Sequence, residues 1–220
     1  MSIDFGIVRE SAPALWQGLK VTAQVSGAGI PLGIALGVVA AYMADSGHRA
    51  LRAVALGYVE LVRNIPFLIL VYLSFFGLPK LGLLASAFYI AIGTTAFYTG
   101  GYFCEILRAA LRSVPAGQLR AAKALGMSTW HVQRLIVVPQ IFGFLLPPTV
   151  SLTIMMFKDS AVFSVMSLPE LTYQSNLKTA DTFAYLEVLG TTALIYWGCS
   201  VLMETLGHAM ETRVRRWSHR

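Results

Sequence analysis

Charge is what this sequence has least of. Only 13% of its 220 residues are Asp, Glu, Lys or Arg, against about a quarter in an ordinary soluble domain. Hydrophobic residues make up 56% of the chain and fall in long runs. That argues against a soluble globular domain and for a chain that lives in lipid. Cysteine is scarce as well. Cys104 and Cys199 lie in apolar runs without Cys-x-x-Cys spacing, so buried free thiols are expected rather than a disulfide framework or a metal site. The opening stretch, MSIDFGIVRESAPALWQGLK, carries Asp4 and Glu10 and no basic lead-in, so no cleavable signal peptide is expected. Phosphate-binding GxxxxGK[ST], HExxH and GxSxG are all missing, and His48, His131, His208 and His219 are scattered. Chemistry performed by this chain is therefore not expected, and neither is a bound metal or cofactor. With no repeat of 20–50 residues and no low-complexity linker, residues 1–220 read as one integral membrane domain.

What is present is a series of five apolar stretches, at about 18–44, 55–78, 84–107, 136–157 and 185–206. Each is near the roughly 20 residues that cross a ~30 Å hydrocarbon core as a helix. The fold expected is an all-α membrane protein of five transmembrane helices, with its termini on opposite sides. The net charge of +6 is not gathered on an aromatic-laced patch, so nucleic acid is not an expected partner. The basic residues sit between apolar runs. One side would hold Arg49, Arg52, Arg63, Arg108, Arg112, Arg120, Lys123, Arg134, Arg213, Arg215, Arg216 and Arg220, and the other only Arg9, Lys20, Lys80, Lys158 and Lys178. The positive-inside rule makes the richer side cytoplasmic and puts the N-terminus outside. In the first stretch Gly29, Gly33 and Gly37 recur every four residues, a seam along which two helices can approach closely in lipid.

Between the third and fourth stretches lies a polar, cationic segment, 113–139. Ser113 is placed to cap a helix that Pro115 helps to open. Gly126 stands where a left-handed residue ends that helix, and Ser128 can cap the next one. Leu119, Ala122 and Leu125 form an apolar ridge with Arg120 and Lys123 at its rim. An interfacial helix, a solvated helical loop and a docking knob for a cytoplasmic partner all satisfy this pattern.

Charges inside apolar runs cost roughly 2.5–3.5 kcal/mol each on insertion scales and so mark function. Glu60 and Arg63, followed by Asn64 and Pro66, read either as an ion pair or as a cytoplasmic gate hinged at the proline. Thr95, Tyr98, Tyr102 and Glu105 fall three, four and three residues apart, a polar stripe that should face the bundle interior or an aqueous path. Glu105 with Arg108 can instead be a structural pair. Lys158 and Asp159 interrupt a further apolar run, and Pro147 and Pro148 are expected to break the helix before them. Adjacent opposite charges suit a zwitterionic solute, its ammonium on Asp159 or Glu105 and its carboxylate on Lys158.

The cationic segment resembles the cytoplasmic signature of ABC importer permeases: E-A-A, three residues, G, nine residues, I-x-L-P. Here Arg120-Ala121-Ala122 is followed by Gly126 and then by Ile136-Val137-Val138-Pro139, with the spacing intact. YVELVRNIPFLILVYLSFFGLP (58–79), GGYFCEILRAALRSVPAGQ (100–118) and FKDSAVFSVMSLPEL (157–171) resemble the permeases for histidine, arginine, glutamine, glutamate and opines. Arg120 replaces the usual Glu and Val138 the usual Leu; the first change reverses a charge that could pair with an ATPase. The resemblance implies a coupling helix carrying Arg120, Ala121, Ala122, Gly126 and Pro139, seated in a separate ATPase subunit. It also implies a second permease subunit, identical or not, two ABC ATPases holding ATP and Mg, and an extracytoplasmic amino-acid-binding protein; the segments 79–84 and 170–183, expected to be exposed, are the candidates for that last contact. The location implied is the bacterial cytoplasmic (inner) membrane. The rival reading is an ion-gradient-driven secondary carrier or channel for small polar solutes.

Overall fold

The computed structural model describes the backbone of residues 4–218 and the side chains of 4–213. Arg215 and Arg216 as charges, and Arg220 altogether, thus lie outside the described residues. All the described regular structure is helical: α1 Phe5–Ala44, α2 Arg49–Asn64, α3 Phe67–Tyr72, α4 Ala87–Arg112, α5 Ala116–Ala124, α6 Thr129–Val132, α7 Val138–Asp159, α8 Leu171–Thr182 and α9 Tyr185–Ser218. Short π and 3₁₀ turns join α3 to the loop before α4, α6 to α7, and α7 to the loop before α8.

Three of these are long and apolar enough to cross a bilayer alone: Phe5–Ala44, the continuous run Thr129–Met166, and Tyr185–Arg213. A fourth crossing counts α2 with Phe67–Leu81, two pieces that meet at 111°. The stretch expected as the second span, at 55–78, is therefore bent sharply where the sequence placed a hinge at Pro66. Ile65 is extended before Pro66, the conformation that a following proline favours, and Pro66 begins a new helix with no N–H to offer the old one. α4 has the length to cross, with 26 residues, but its threonines, tyrosines and glycines dilute its apolar character.

α1 begins at Phe5, not near residue 18, because Asp4 accepts the Gly6 N–H at 2.8 Å and caps it. It packs along α4 over a glycine seam. A Cβ at Gly29, Gly33 or Gly37 would stand 2.7, 2.5 or 2.7 Å from Thr95 Cβ, Thr99 Cβ or the Gly100 carbonyl. Backbones this close trade dispersion directly, the main attraction available between helices in lipid. α2 leans on the other side of α4, where Val62 fills the space left by Gly101 and the Tyr58 hydroxyl donates to the Phe97 carbonyl. The core that results joins Val25, Val62, Val71, Ala91, Cys104, Met156 and Phe163.

α7 runs unbroken through Pro147 and Pro148, contrary to the expected break. Each proline removes one intrahelical hydrogen bond, yet neighbouring helices hold the segment in place. α7 packs against α9 where Gly207 receives Val150. Ser113 does not cap α5: its hydroxyl donates to the Ala110 carbonyl at 2.7 Å and closes the end of α4, and Pro115 occupies the cap position.

Candidate functional site

Two regions carry the polar residues. The first is the bend between α5 and α6. Gly126 adopts φ +73°. Its N–H donates to Lys123 O at 3.0 Å and the Met127 N–H reaches back to Ala122 O at 3.1 Å, the pair of bonds that ends a helix through a left-handed residue. The Ser128 hydroxyl then accepts from the His131 N–H and opens α6. Of the anticipated ridge, Ala122 is buried, Leu119 half-buried and Leu125 exposed. Arg120, Ala121, Lys123 and Gly126 are exposed as well, with Trp130 on the next helix and Pro139 at the start of α7. Gln140 of α7 donates to Gln118 of α5 at 2.7 Å and ties the small helix to a long one.

The second region follows α4. Arg108 binds Glu105 on the same helix, Arg63 Nη1 of α2 stands 3.7 Å from the other Glu105 oxygen, and Asp45, at the end of α1, lies 3.6 Å from Arg108 Nε. Arg63 is thus paired across helices with Glu105 and not with Glu60 of its own helix. Packing of Val59 and Val62 against α4 turns Arg63 towards the polar stripe. Glu60 and Asn64 line a shallow cavity of about 300 Å³ beside Arg63, and the Asn64 amide donates to the Glu60 carbonyl. Arg108 is buried, and its Nε has no hydrogen-bond partner among the described residues.

The stripe itself divides. The Tyr98 and Tyr102 hydroxyls are 3.3 Å apart, and the Tyr98 ring also packs at a tilt on Phe67, just past Pro66, with centroids 4.9 Å apart. Asp159, at the end of α7, is half-buried. Lys158, beside it, is exposed. Thr95 departs from the line: it is buried against Gly29 of α1. Tyr102 and Glu105, with Arg63, Ile106, Phe144 and Pro148, border a cavity of about 490 Å³. Among the described residues no three His, Cys, Asp or Glu side chains converge as metal ligands.

Sequence reasoning passed over Glu170, although it lies in the segment taken as exposed. It is fully buried. It caps α8 by accepting the Thr172 and Tyr173 N–H groups at 2.8 and 2.7 Å, and it accepts the Tyr196 hydroxyl of α9 at 3.3 Å. Burial pushes its carboxyl up to about 7, and those three donors hold it from rising further. Leu171, Ser175 and Thr179 are buried too, whereas 79–84 is exposed throughout. The signal available was an acid set between Pro169 and a helix-forming run, a helix start and not a surface loop.

Long apolar helices packed on small residues, with a cluster of ions where α1, α2 and α4 meet, define an integral membrane protein. Residues 30–216 match the family of binding-protein-dependent transport system inner membrane components, and the chain belongs to that family. It is 29% identical to the glutamine transport system permease protein GlnP of Escherichia coli K12, over 98% of this chain and 99% of that one. It is 31% identical to the probable amino-acid ABC transporter permease protein YckA of Bacillus subtilis 168, over 87% and 85% of the two chains. Its fold superposes on the crystal structure of an amino acid ABC transporter with histidines at TM-score 0.90, with 30% identity over 97% of this chain and all of that one. The methionine ABC transporter MetNI shares the fold at TM-score 0.76.

Proposed function

We propose that this chain is the permease subunit of an ATP-driven importer for a polar amino acid, working in a bacterial cytoplasmic membrane with its N-terminus outside. Five spans are too few for a whole pathway, so the working unit holds a second permease subunit, two ABC ATPases that carry ATP and Mg, and an extracytoplasmic binding protein. The names of the similar permeases support amino acids as cargo. The five-span count takes α4, as well as the bent α2–α3 pair, as crossing segments, with Arg9, Lys20, Lys80, Lys158 and Lys178 on the outer side.

The observation that carries this reading is the elbow at Gly126. It presents a short helix bearing Arg120, Ala121 and Lys123 outward from the bundle while Gln118 and Ala122 fasten that helix inward. A separate motor that grips α5 moves α7 through Gln140 and α4 through the tight connection at Val114. Rigid-body rocking of this kind turns one opening of the bundle into the other. The solute then passes Lys158 and Asp159, then Tyr98, Tyr102 and Glu105, with Glu60, Arg63 and Pro66 gating the cytoplasmic end. Thr95 shapes the wall by holding α4 to α1. Arg120 in place of an acid leaves the ATPase contact to shape.

Reconstitution of the chain with its partner subunits tests the proposal. Uptake of a labelled amino acid should require ATP and be indifferent to proton and sodium ionophores. Uptake that ionophores abolish would overturn it.

A further inference from the structure

α1 has 40 residues and is about 60 Å long, twice the ~30 Å of hydrocarbon it has to cross. Counted back from its end at Ala44, the roughly 20 residues of one crossing reach Val25, and no charged or amide side chain interrupts 25–44. Gln24, Lys20 and Gln17 precede that stretch. The edge of the lipid core on this helix therefore falls at Gln24 and Val25. Just above it the Lys20 ammonium lies 5.6 Å over the Trp16 ring, an aromatic and a cation placed as side chains are that anchor a helix at a membrane surface. Lys20 is exposed and forms no ion pair among the described residues.

Immediately inside that edge, α1, α7 and α9 enclose a groove of about 410 Å³. Ser26, Gly27, Ile30 and Pro31 form one wall, Phe157 and Met203 the other. The walls are apolar with two exceptions. The Ser26 hydroxyl is buried and has no hydrogen-bond partner among the described residues, a costly state for a polar group. Pro31 has no N–H for the Gly27 carbonyl one turn back. A Cβ at Gly27 would have nothing within 4 Å, so the groove is open along this face of α1.

We propose that this groove holds one anionic phospholipid, drawn from the leaflet at the N-terminal end of α1. Gly27 and Pro31 follow Lys20 by seven and eleven residues, a spacing that keeps all three on one helix face. A lipid whose chain lies along Gly27 and Pro31 thus brings its phosphate up to Lys20. Ser26 lies six residues inside Lys20, about 9 Å along the axis. An ester carbonyl, which hangs below the phosphate on the glycerol, accepts the Ser26 hydroxyl there. The acyl chain fills the space between Ile30, Phe157 and Met203. The cation at the mouth and the hydroxyl inside select a lipid over a helix of a second copy, whose backbone carbonyls are already bonded within it. Lipid seated here packs α1 against the α7–α9 pair and stabilises the fold according to its occupancy. The inference needs only that the chain sits in a bilayer and is independent of what it transports.

Native mass spectrometry of the detergent-purified complex of permease and ATPase subunits tests this. The probe is phosphatidylglycerol, and zwitterionic phosphatidylcholine is its control. One phosphatidylglycerol should stay on each permease chain at concentrations where phosphatidylcholine is lost. Lys20→Gln should weaken its retention about fivefold, the share of one lysine facing an anionic headgroup. Ser26→Ala should weaken it by about as much, the cost of one hydrogen bond. Gly27→Leu should abolish it, because a side chain there fills the groove and leaves the α1–α4 seam untouched. A phosphatidylglycerol with a photoreactive diazirine in its acyl chain locates the site: its adducts should fall on residues 23–34 and at Met203 and vanish in Gly27→Leu. Added phosphatidylglycerol should raise the melting temperature of the unsubstituted complex but not that of Gly27→Leu. Equal retention of the two lipids, or retention and adducts unchanged by Gly27→Leu, overturns the site. Separation of paired permease chains by Gly27→Leu, with no lipid adduct in the unsubstituted groove, overturns it as well and assigns the groove to a second copy. If Gly27→Leu fails to assemble, Lys20→Gln and Ser26→Ala decide by themselves, and full retention in both overturns the site.

Discussion

A single methyl group is enough to disturb the seam between α1 and α4. At Gly33 an added Cβ would lie 2.5 Å from Thr99 Cβ and 2.7 Å from the Ala96 carbonyl, so backbone as well as side chain must move. Gly33→Ala should cost about 1–3 kcal/mol, as overpacking does, and lower the thermal stability of the purified protein. Gly27, on the same helix, has nothing within 4 Å, so Gly27→Ala should be neutral or slightly stabilising; equal losses at both positions would refute the seam. Glu170 sets a second residue-scale expectation. Its carboxyl lies at about 7 against the ordinary 4.5. The folded state therefore holds a proton that the unfolded state releases between those values. Stability falls as pH rises from about 4.5 to 7, by up to about 3 kcal/mol, and levels off above. Thermal melts from pH 5 to pH 8 should show that slope, and Glu170→Gln, neutral throughout, should flatten it.

At the scale of the element, Gly126 is the position where backbone geometry decides the outcome. Its φ of +73° excludes proline and strains alanine, while asparagine tolerates it. Gly126→Asn should leave ATPase subunits co-purifying with the permease and Gly126→Ala should reduce their yield. Gly126→Pro should remove them while the permease stays in the membrane; undiminished co-purification of the proline variant would detach the elbow from docking. This element was the most legible in the sequence, because a glycine at a helix end and a serine two residues on act through local chemistry. The rest was less so. The start of α1 was hidden because Arg9, Glu10 and Gln17 interrupt the apolar run, although one Asp4 cap suffices to begin the helix. Pro66 marked a hinge, but hydrophobicity that continues across it hid that the two pieces meet at 111°. Tandem prolines in α7 failed to break it because tertiary packing overrides a local rule. Ion partners were the least readable: Glu60 is the neighbour of Arg63 in sequence, but Glu105, 42 positions away, is its neighbour in space.

For the whole molecule the decisive quantity is which surfaces share a side of the membrane. The chain leaves many apolar side chains bare, Leu36, Tyr42, Phe142, Phe144, Leu194 and Trp197 among them, and only lipid or a second permease subunit can cover them without cost. Its cations are unevenly spread, and the positive-inside rule converts that unevenness into an orientation worth testing. In the five-span arrangement Ala121 faces the cytoplasm and Leu84, in the loop before α4, faces out. Both are exposed, and Leu84 is among the most exposed apolar residues of the described chain, at 84%. Single cysteines at these positions can be probed with a membrane-impermeant maleimide on intact spheroplasts. The unsubstituted protein gives the background, since Cys104 is buried and Cys199 half-buried. Leu84→Cys should react in intact cells and Ala121→Cys only after the membrane is opened. If both react from the same side, an even number of crossings separates them, and α4 cannot span. If the sides are exchanged, the elbow faces away from every source of ATP, and no motor can pull on it.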